Sequence, residues 1–217
     1  LGITGGKGVL YIDDIVLSPQ DREAVTPVEP DAANLVLKYA FEGNVNDAAG
    51  KRNGAVSGAP AYVPGKVGQA IRLDGIRDYV LVVGPLDLPV YTAALWFQVE
   101  GGTGNRDLIS IFNDAAQHGV LLEVTSTGGL RFLHRAPAGS TGRDADIRNN
   151  AKFDDAAWHH AAIVKSAEST TLYINGVQAG TAANTTQFDQ ALTKIALGML
   201  KTMPSTNDPV AAADARY

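Results

Sequence analysis

The apolar residues of this chain come in short runs, separated by stretches rich in glycine, asparagine, aspartate and proline. That punctuation constrains the fold more than any other feature. Runs at 70–73, 79–83, 91–99, 108–112, 119–125, 129–134, 158–165, 171–174, 177–181 and 194–200 are rich in Val, Ile, Leu and aromatic residues. No amphipathic helix of useful length interrupts them. Strands recurring about every 8–12 residues, with turn signals between them, predict an all-β sandwich or barrel. Pairs such as Leu81/Val83 and Leu172/Ile174 share a face, as expected of antiparallel sheets with one dry and one wet side. Asn175-Gly176 predicts a two-residue type I′ hairpin, whose central residues both need positive φ. A jelly roll, which manages its sheet edges, is the expected architecture.

Composition narrows the function classes. With 217 residues, 45% hydrophobic and 19% charged, the chain can bury a core without staples. Its net charge of −5 and scattered Lys and Arg argue against nucleic-acid binding. Cysteine is absent, which excludes disulfides, thiolate metal sites and cysteine nucleophiles. No apolar run reaches the roughly 18 residues of a membrane-spanning helix, so no membrane insertion is expected.

The N-terminal region has its own grammar. Val9-Leu10-Tyr11-Ile12-Asp13-Asp14-Ile15-Val16-Leu17 reads as a strand, closed by Pro19. Residues 19–33 carry Pro19, Pro27 and Pro30 among Asp21, Glu23, Glu29 and Asp31, the composition of an extended linker. Residues 34–217 then form the main sandwich domain. The strand in 1–18 either belongs to a preceding domain or fills a vacant slot in this sandwich, within one chain or by strand exchange with a neighbouring copy.

From residue 35 onward the sequence resembles the laminin-G-like jelly-roll domains of the concanavalin A-like lectin/glucanase superfamily, found in bacterial exported proteins. Four motifs in order carry the resemblance. Residues 39–50 (YAFEGNVNDAAG) are similar to its opening strand and Asn/Asp-Gly loop. Residues 64–75 (PGKVGQAIRLDG) followed by Asp78-Tyr79-Val80 match its second motif. Trp158-His159-His160 and then Leu172-Tyr173-Ile174-Asn175-Gly176-Val177 match the third and fourth. The resemblance implies an antiparallel two-sheet jelly-roll β-sandwich, secreted or on the cell surface. It also implies a closing strand with an acidic pair. Here Asp13 and Asp14 have that character, should residues 9–17 occupy the slot.

Candidate sites follow. Sandwich glycosidases set two carboxylates about 5–5.5 Å apart when retaining. No strand here shows the alternating carboxylate signature: Glu123 stands alone on its strand, and Asp144 and Asp146 sit in a polar loop. A non-catalytic module is therefore expected, binding a glycan or a protein surface. A structural spacer or adhesion repeat is the alternative, and a glycoside hydrolase is disfavoured. The loops at 101–107, 113–118 and 136–150 form the expected rim, with Arg143, Asp144, Asp146 and Asn149 as the ligand-binding candidates. Tyr62, Tyr91 and Phe153 are candidate exposed aromatics, and Trp96 is expected in the core. Adjacent His159 and His160 point to opposite faces of a strand and cannot share one metal ion. Asp74 and Asp78 read as turn formers. The resemblance implies a structural calcium, with Asp47, Asn44 and Gly50 of the 44–50 loop and Asp13 and Asp14 as its oxygen donors.

Overall fold

The computed structural model describes residues 33–86, 89–102, 104–113, 118–139, 144–188, 191–201 and 213–215. Asp13, Asp14, the 9–17 run and Arg143 lie outside the described residues. Fifteen strands occur among those described: β1 (Ala55–Ser57), β2 (Ala61–Pro64), β3 (Gln69–Arg72), β4 (Tyr79–Leu86), β5 (Tyr91–Phe97), β6 (Arg106–Phe112), β7 (Val120–Val124), β8 (Leu130–His134), β9 (Ala145–Asn149), β10 (His159–Lys165), β11 (Ser169–Ile174), β12 (Val177–Ala183), β13 (Leu192–Leu197), β14 (Met199–Lys201) and β15 (Ala213–Ala215). There is no helix among them. One sheet has seven strands in the order β1-β4-β13-β6-β7-β8-β9, and the other has four, β12-β11-β10-β5. Every ladder is antiparallel.

The core lies between these two sheets. Alternate residues supply it: Val80 and Val82 from β4, Ile109 and Ile111 from β6, Val120, Leu122 and Val124 from β7, Leu130 and Phe132 from β8, and Ala93, Leu95 and Phe97 from β5. The period of two is the one read from the sequence, but on β4 the pair Leu81 and Val83 faces away from the core and Val80 and Val82 face into it. The hairpin at Asn175-Gly176 has φ of 50° and 82°, both positive as a type I′ turn demands. Asp74 Oδ1 accepts the main-chain N–H groups of Ile76, Arg77 and Asp78, and Asp78 Oδ1 accepts that of Ala59. Both aspartates thus organise turns.

Four expectations need correcting. First, the opening strand that the resemblance implies at the start of residues 39–50 is no named strand. Leu35, Leu37, Tyr39 and Phe41 alternate into the core, but the only ladder step described is the bridge Tyr39–Asp47. Second, 136–150 is not all loop, because β9 pairs with β8 along Leu130–Asn149 to His134–Ala145. Its edge position leaves one side of Ala-Asp-Ile-Arg-Asn polar, which hides the strand pattern. Third, the wet face is drier than anticipated. Ser110, Leu121, Leu133 and Phe112 point away from the core yet are almost wholly buried, and Met199 packs there with Phe112 and Ala196. Fourth, Tyr91 and Phe153 are buried, while Trp96 faces outward from β5, opposite His160, with Lys66 Nζ 5.1 Å from its ring centroid. The alternation that sends Leu95 and Phe97 inward leaves Trp96 no other side.

Candidate functional site

The candidate site is assembled by register. The β7–β8 hairpin pairs Glu123 with Arg131, and the β8–β9 ladder pairs Arg131 with Arg148 and Leu133 with Asp146. Directly opposed residues share a face. Glu123, Arg131, Asp146 and Arg148 therefore stand together on the side of the seven-stranded sheet away from the core.

Their charges interlock. Arg131 sends Nη1 to Glu123 Oε1 at 3.0 Å, and Nε and Nη2 to the two Asp146 oxygens at 2.9 and 3.0 Å. Arg148 grips the same Asp146 oxygens from the other side at 3.0 and 3.1 Å. Such forked contacts fix geometry as well as charge. Burial alone would push the Asp146 carboxyl upward, but hydrogen bonds from Arg131 and Arg148 outweigh it and hold the group below the usual carboxylate range. Glu123 accepts at its second oxygen from Asn105 Nδ2 at 2.9 Å. Asn105 Oδ1 in turn accepts the N–H of Ser126, which ties the entry to β6 to the tip of the hairpin.

Glu123, Arg131 and Arg148 of this ladder line a cleft of about 310 Å³. Its walls include Asn105, Thr125, Thr127, Arg148, Asn149 and Asn150. Amides, hydroxyls and a half-exposed guanidinium converge on it, a donor and acceptor set suited to a ligand rich in hydroxyl groups. One close approach shapes it: a Cβ added at Gly129 would lie 2.7 Å from the main-chain oxygen of Asn149. Glycine at that position lets β8 and β9 meet beneath the opening.

The expected ligand residues divide. Asn149 lines this cleft, and Asp146 stands behind it, gripped by the lining residues Arg131 and Arg148. Asp144 does not join them. Its carboxylate accepts the N–H of Ala136 at the other end of β9. Five residue steps at about 3.3 Å put the two ends about 17 Å apart. Glu123, Arg131 and Asn105 escaped the sequence reading. The signal was available: Glu123 and Arg131 sit equally far from the turn at 126–128, so a tight hairpin must oppose them.

Glu123 also has Asp107 as its register partner on β6, and both are almost fully buried. This is a carboxylate pair that the sequence did not reveal, since the two lie on different strands. A glycosidase acid must hold a proton and a nucleophile must face the sugar. Glu123 turns both oxygens to Arg131 and Asn105 instead.

The 44–50 loop is built differently from a cation site. Asp47 Oδ1 accepts the N–H groups of Lys38 and Ala49, and Oδ2 those of Lys51 and Arg52, all at 2.9–3.0 Å. Asn44 Oδ1 accepts from Asn46, and the N–H of Gly50 donates to the Asp47 carbonyl. A calcium ion needs six to eight oxygens. Among the described residues this loop spends its side-chain oxygens on main-chain donors, and no group of three or more His, Cys, Asp or Glu converges. The described part of the expected calcium set does not fit the ion. His159 and His160 diverge: His159 contacts Asp155 at 2.9 Å, whereas His160 lies beside Trp96.

Comparison with known proteins places the chain. No curated protein sequence matches it. Among solved structures, domain 4 of a GH43 extracellular arabinanase from Geobacillus stearothermophilus, in complex with arabinotriose, has a TM-score of 0.60 at 23% identity, covering 72% of this chain and 78% of that one. The binding domain of Paraclostridial Mosquitocidal Protein 1 gives 0.64 at 18%, with 76% of this chain and 44% of that one. The binding domain of botulinum neurotoxin DC in complex with SialylT gives 0.58 at 13%, with 77% and 43%. This chain spans less than half of either toxin domain, and at these identities the likeness is one of fold. A family model described as the concanavalin A-like lectin/glucanases superfamily matches residues 74–211, so the chain belongs to that superfamily.

Proposed function

We propose that this chain is a non-catalytic carbohydrate-binding module of an exported protein, and that its glycan sits in the cleft at the ends of β7, β8 and β9. One observation carries the reading: amide, hydroxyl and guanidinium groups converge on a cleft whose floor is already fixed by the Glu123–Arg131–Asp146–Arg148 ladder. The arabinotriose and SialylT complexes of the structural relatives support a glycan as the ligand class. Asp146 is held ionised between two arginines, which suits a scaffold and an acceptor better than a proton donor.

The test is a glycan array followed by calorimetry with the best ligand. Arg148→Ala and Asn149→Ala are each expected to weaken binding about tenfold or more, the effect of losing one or two hydrogen bonds to a ligand. Asp144→Ala, at the far end of β9, is expected to leave the affinity unchanged. Equal loss in all three variants, or sugar release by the purified chain, would reject the assignment. No glycan binding at all would favour the spacer reading. EDTA and calcium are run alongside. With its carboxylate spent on four N–H groups, Asp47 is expected to confer no calcium-dependent rise in Tm. A rise that disappears in Asp47→Ala would restore the ion to this loop.

A further inference from the structure

Among the described residues, no aromatic side chain lines the cleft at the ends of β7, β8 and β9. Leu130 is its one large apolar residue. A neutral sugar ring gains much of its affinity by resting its C–H face on an aromatic plane, and that contact is missing here. Affinity must then come from polar groups. A hydrogen bond between neutral groups gains little over the water it displaces, whereas one to an ionised group is roughly twice as strong. An ionised group on the ligand is therefore favoured.

The sign of that charge follows from donors and acceptors. The acceptors are spent. Both Glu123 oxygens take hydrogen bonds, from Arg131 and Asn105. Each Asp146 oxygen takes one from Arg131 and one from Arg148. The amide oxygens of Asn105 and Asn149 accept the N–H groups of Ser126 and Ala151. The Thr127 carbonyl accepts from Lys152 Nζ at 2.6 Å, and the Thr125 carbonyl from the N–H of Gly128. Donors remain. Arg148 uses Nε and Nη2 on Asp146 and keeps Nη1, on a side chain that is 46% exposed. Asn149 Nδ2 and the Asn150 side-chain amide have no hydrogen bond among the described residues. Lys152 commits one of its three protons to Thr127.

The charges agree. Lys152 and Asp154 both flank Gly128, and Asp154 is paired with Arg106. Around this end of the sheet Arg106, Arg131, Arg148 and Lys152 stand against Glu123, Asp146 and Asp154. The cations are in excess here, in a chain whose net charge is −5.

We infer, on the glycan-binding reading of this cleft, that its sugar carries a carboxylate, held by Arg148 and the Asn149 and Asn150 amides with Lys152 beside them. A planar carboxylate matches the fork of a guanidinium edge. Asp146 already grips one edge of Arg148, which fixes the orientation of the edge left for the ligand.

Calorimetry with matched probes tests this. Tetragalacturonate, tetramannuronate and tetraguluronate are each titrated beside their carboxyl methyl esters, which keep the sugar and remove the charge. At least one acid is expected to bind about tenfold more tightly than its ester, and added salt to narrow the gap. Arg148→Gln is expected to bring the ratio of acid to ester affinity close to one, and Lys152→Gln to lower it severalfold. Should Arg148→Gln fail to fold, Lys152→Gln and the salt dependence still decide. Esters or neutral oligosaccharides bound as tightly as the acids, and weakened by Asn149→Ala, would overturn the acidic ligand and leave the glycan-binding reading standing. A preference for acids untouched by both variants would also overturn it, by placing the carboxylate elsewhere. No binding of any sugar, acidic or neutral, would remove both.

Discussion

Replacing Arg131 with methionine is expected to destabilise the fold by about 3–5 kcal/mol, measured by urea unfolding at pH 7. The stem of methionine fills much of the space of the arginine stem, so packing loss is small. The loss comes from charge. Glu123 is almost fully buried and takes its only described ion pair from Arg131, and Asp146 loses one of the two forked arginines that hold it. Removing one partner of a buried set leaves the others desolvated without compensation. The double variant Arg131→Met with Glu123→Gln is expected to recover a substantial part of the loss, because an uncharged amide costs less to bury. Glycan affinity in Arg131→Met should fall with the distortion of the cleft floor. A single-variant cost below about 1 kcal/mol would mean that the ladder behaves as a surface ion pair, where such values are typical.

A fall of pH from 7.5 to 5.0 is expected to weaken the fold by roughly 2 kcal/mol for each of His134 and His160. Burial pushes both imidazoles down, to about 4. For His134 the nearby Lys165 adds to the depression and Asp144 opposes it. The sign follows from proton counting. Between the ordinary value of about 6.5 and the folded value, the unfolded chain binds more protons than the folded one. Stability is full above that window and drains away as the pH falls through it. His160 offers a clean variant, since neither of its ring nitrogens has a hydrogen-bond partner among the described residues. His160→Phe should cost little at pH 7.5 and remove about half of the acid-induced loss. An unchanged pH dependence in that variant would show that His160 is not kept neutral by its surroundings.

The sandwich was legible because period and punctuation are local properties. The type I′ turn at Asn175-Gly176 and the shared face of Leu172 and Ile174 follow from neighbours in the chain, whereas on β4, apolar at every position from 79 to 83, alternation could not say that Val80 and Val82 rather than Leu81 and Val83 face the core. The edge strand β9 was not legible, because an edge tolerates Asp146 and Arg148 on its open side and so loses the apolar signature. The candidate cleft was half legible. Asp146 and Asn149 drew notice as polar residues in a polar stretch, but Arg131 and Glu123 look like interruptions in apolar runs. Only pairing across β7, β8 and β9 turns them into a charged ladder. Asp107 and Glu123 show the same limit. Two carboxylates on separate strands become neighbours through register, which no spacing rule within one strand can reveal. The Asp47 loop shows a further limit: oxygen-rich composition cannot say whether the oxygens face a cation or the loop's own N–H groups.

The buried outer side of β6, β7 and β8 bears on how a sugar would be held. Strands shielded on both surfaces are the last to open when a domain fluctuates, and β7 and β8 are the strands that support the cleft. A ligand there meets a surface that needs no assembly, so little ordering entropy opposes its capture. Tuning of affinity should then register mainly in residence time, with amide protection on binding confined to the tips at 125–129 and 149–151 and the sheet beneath them unmoved.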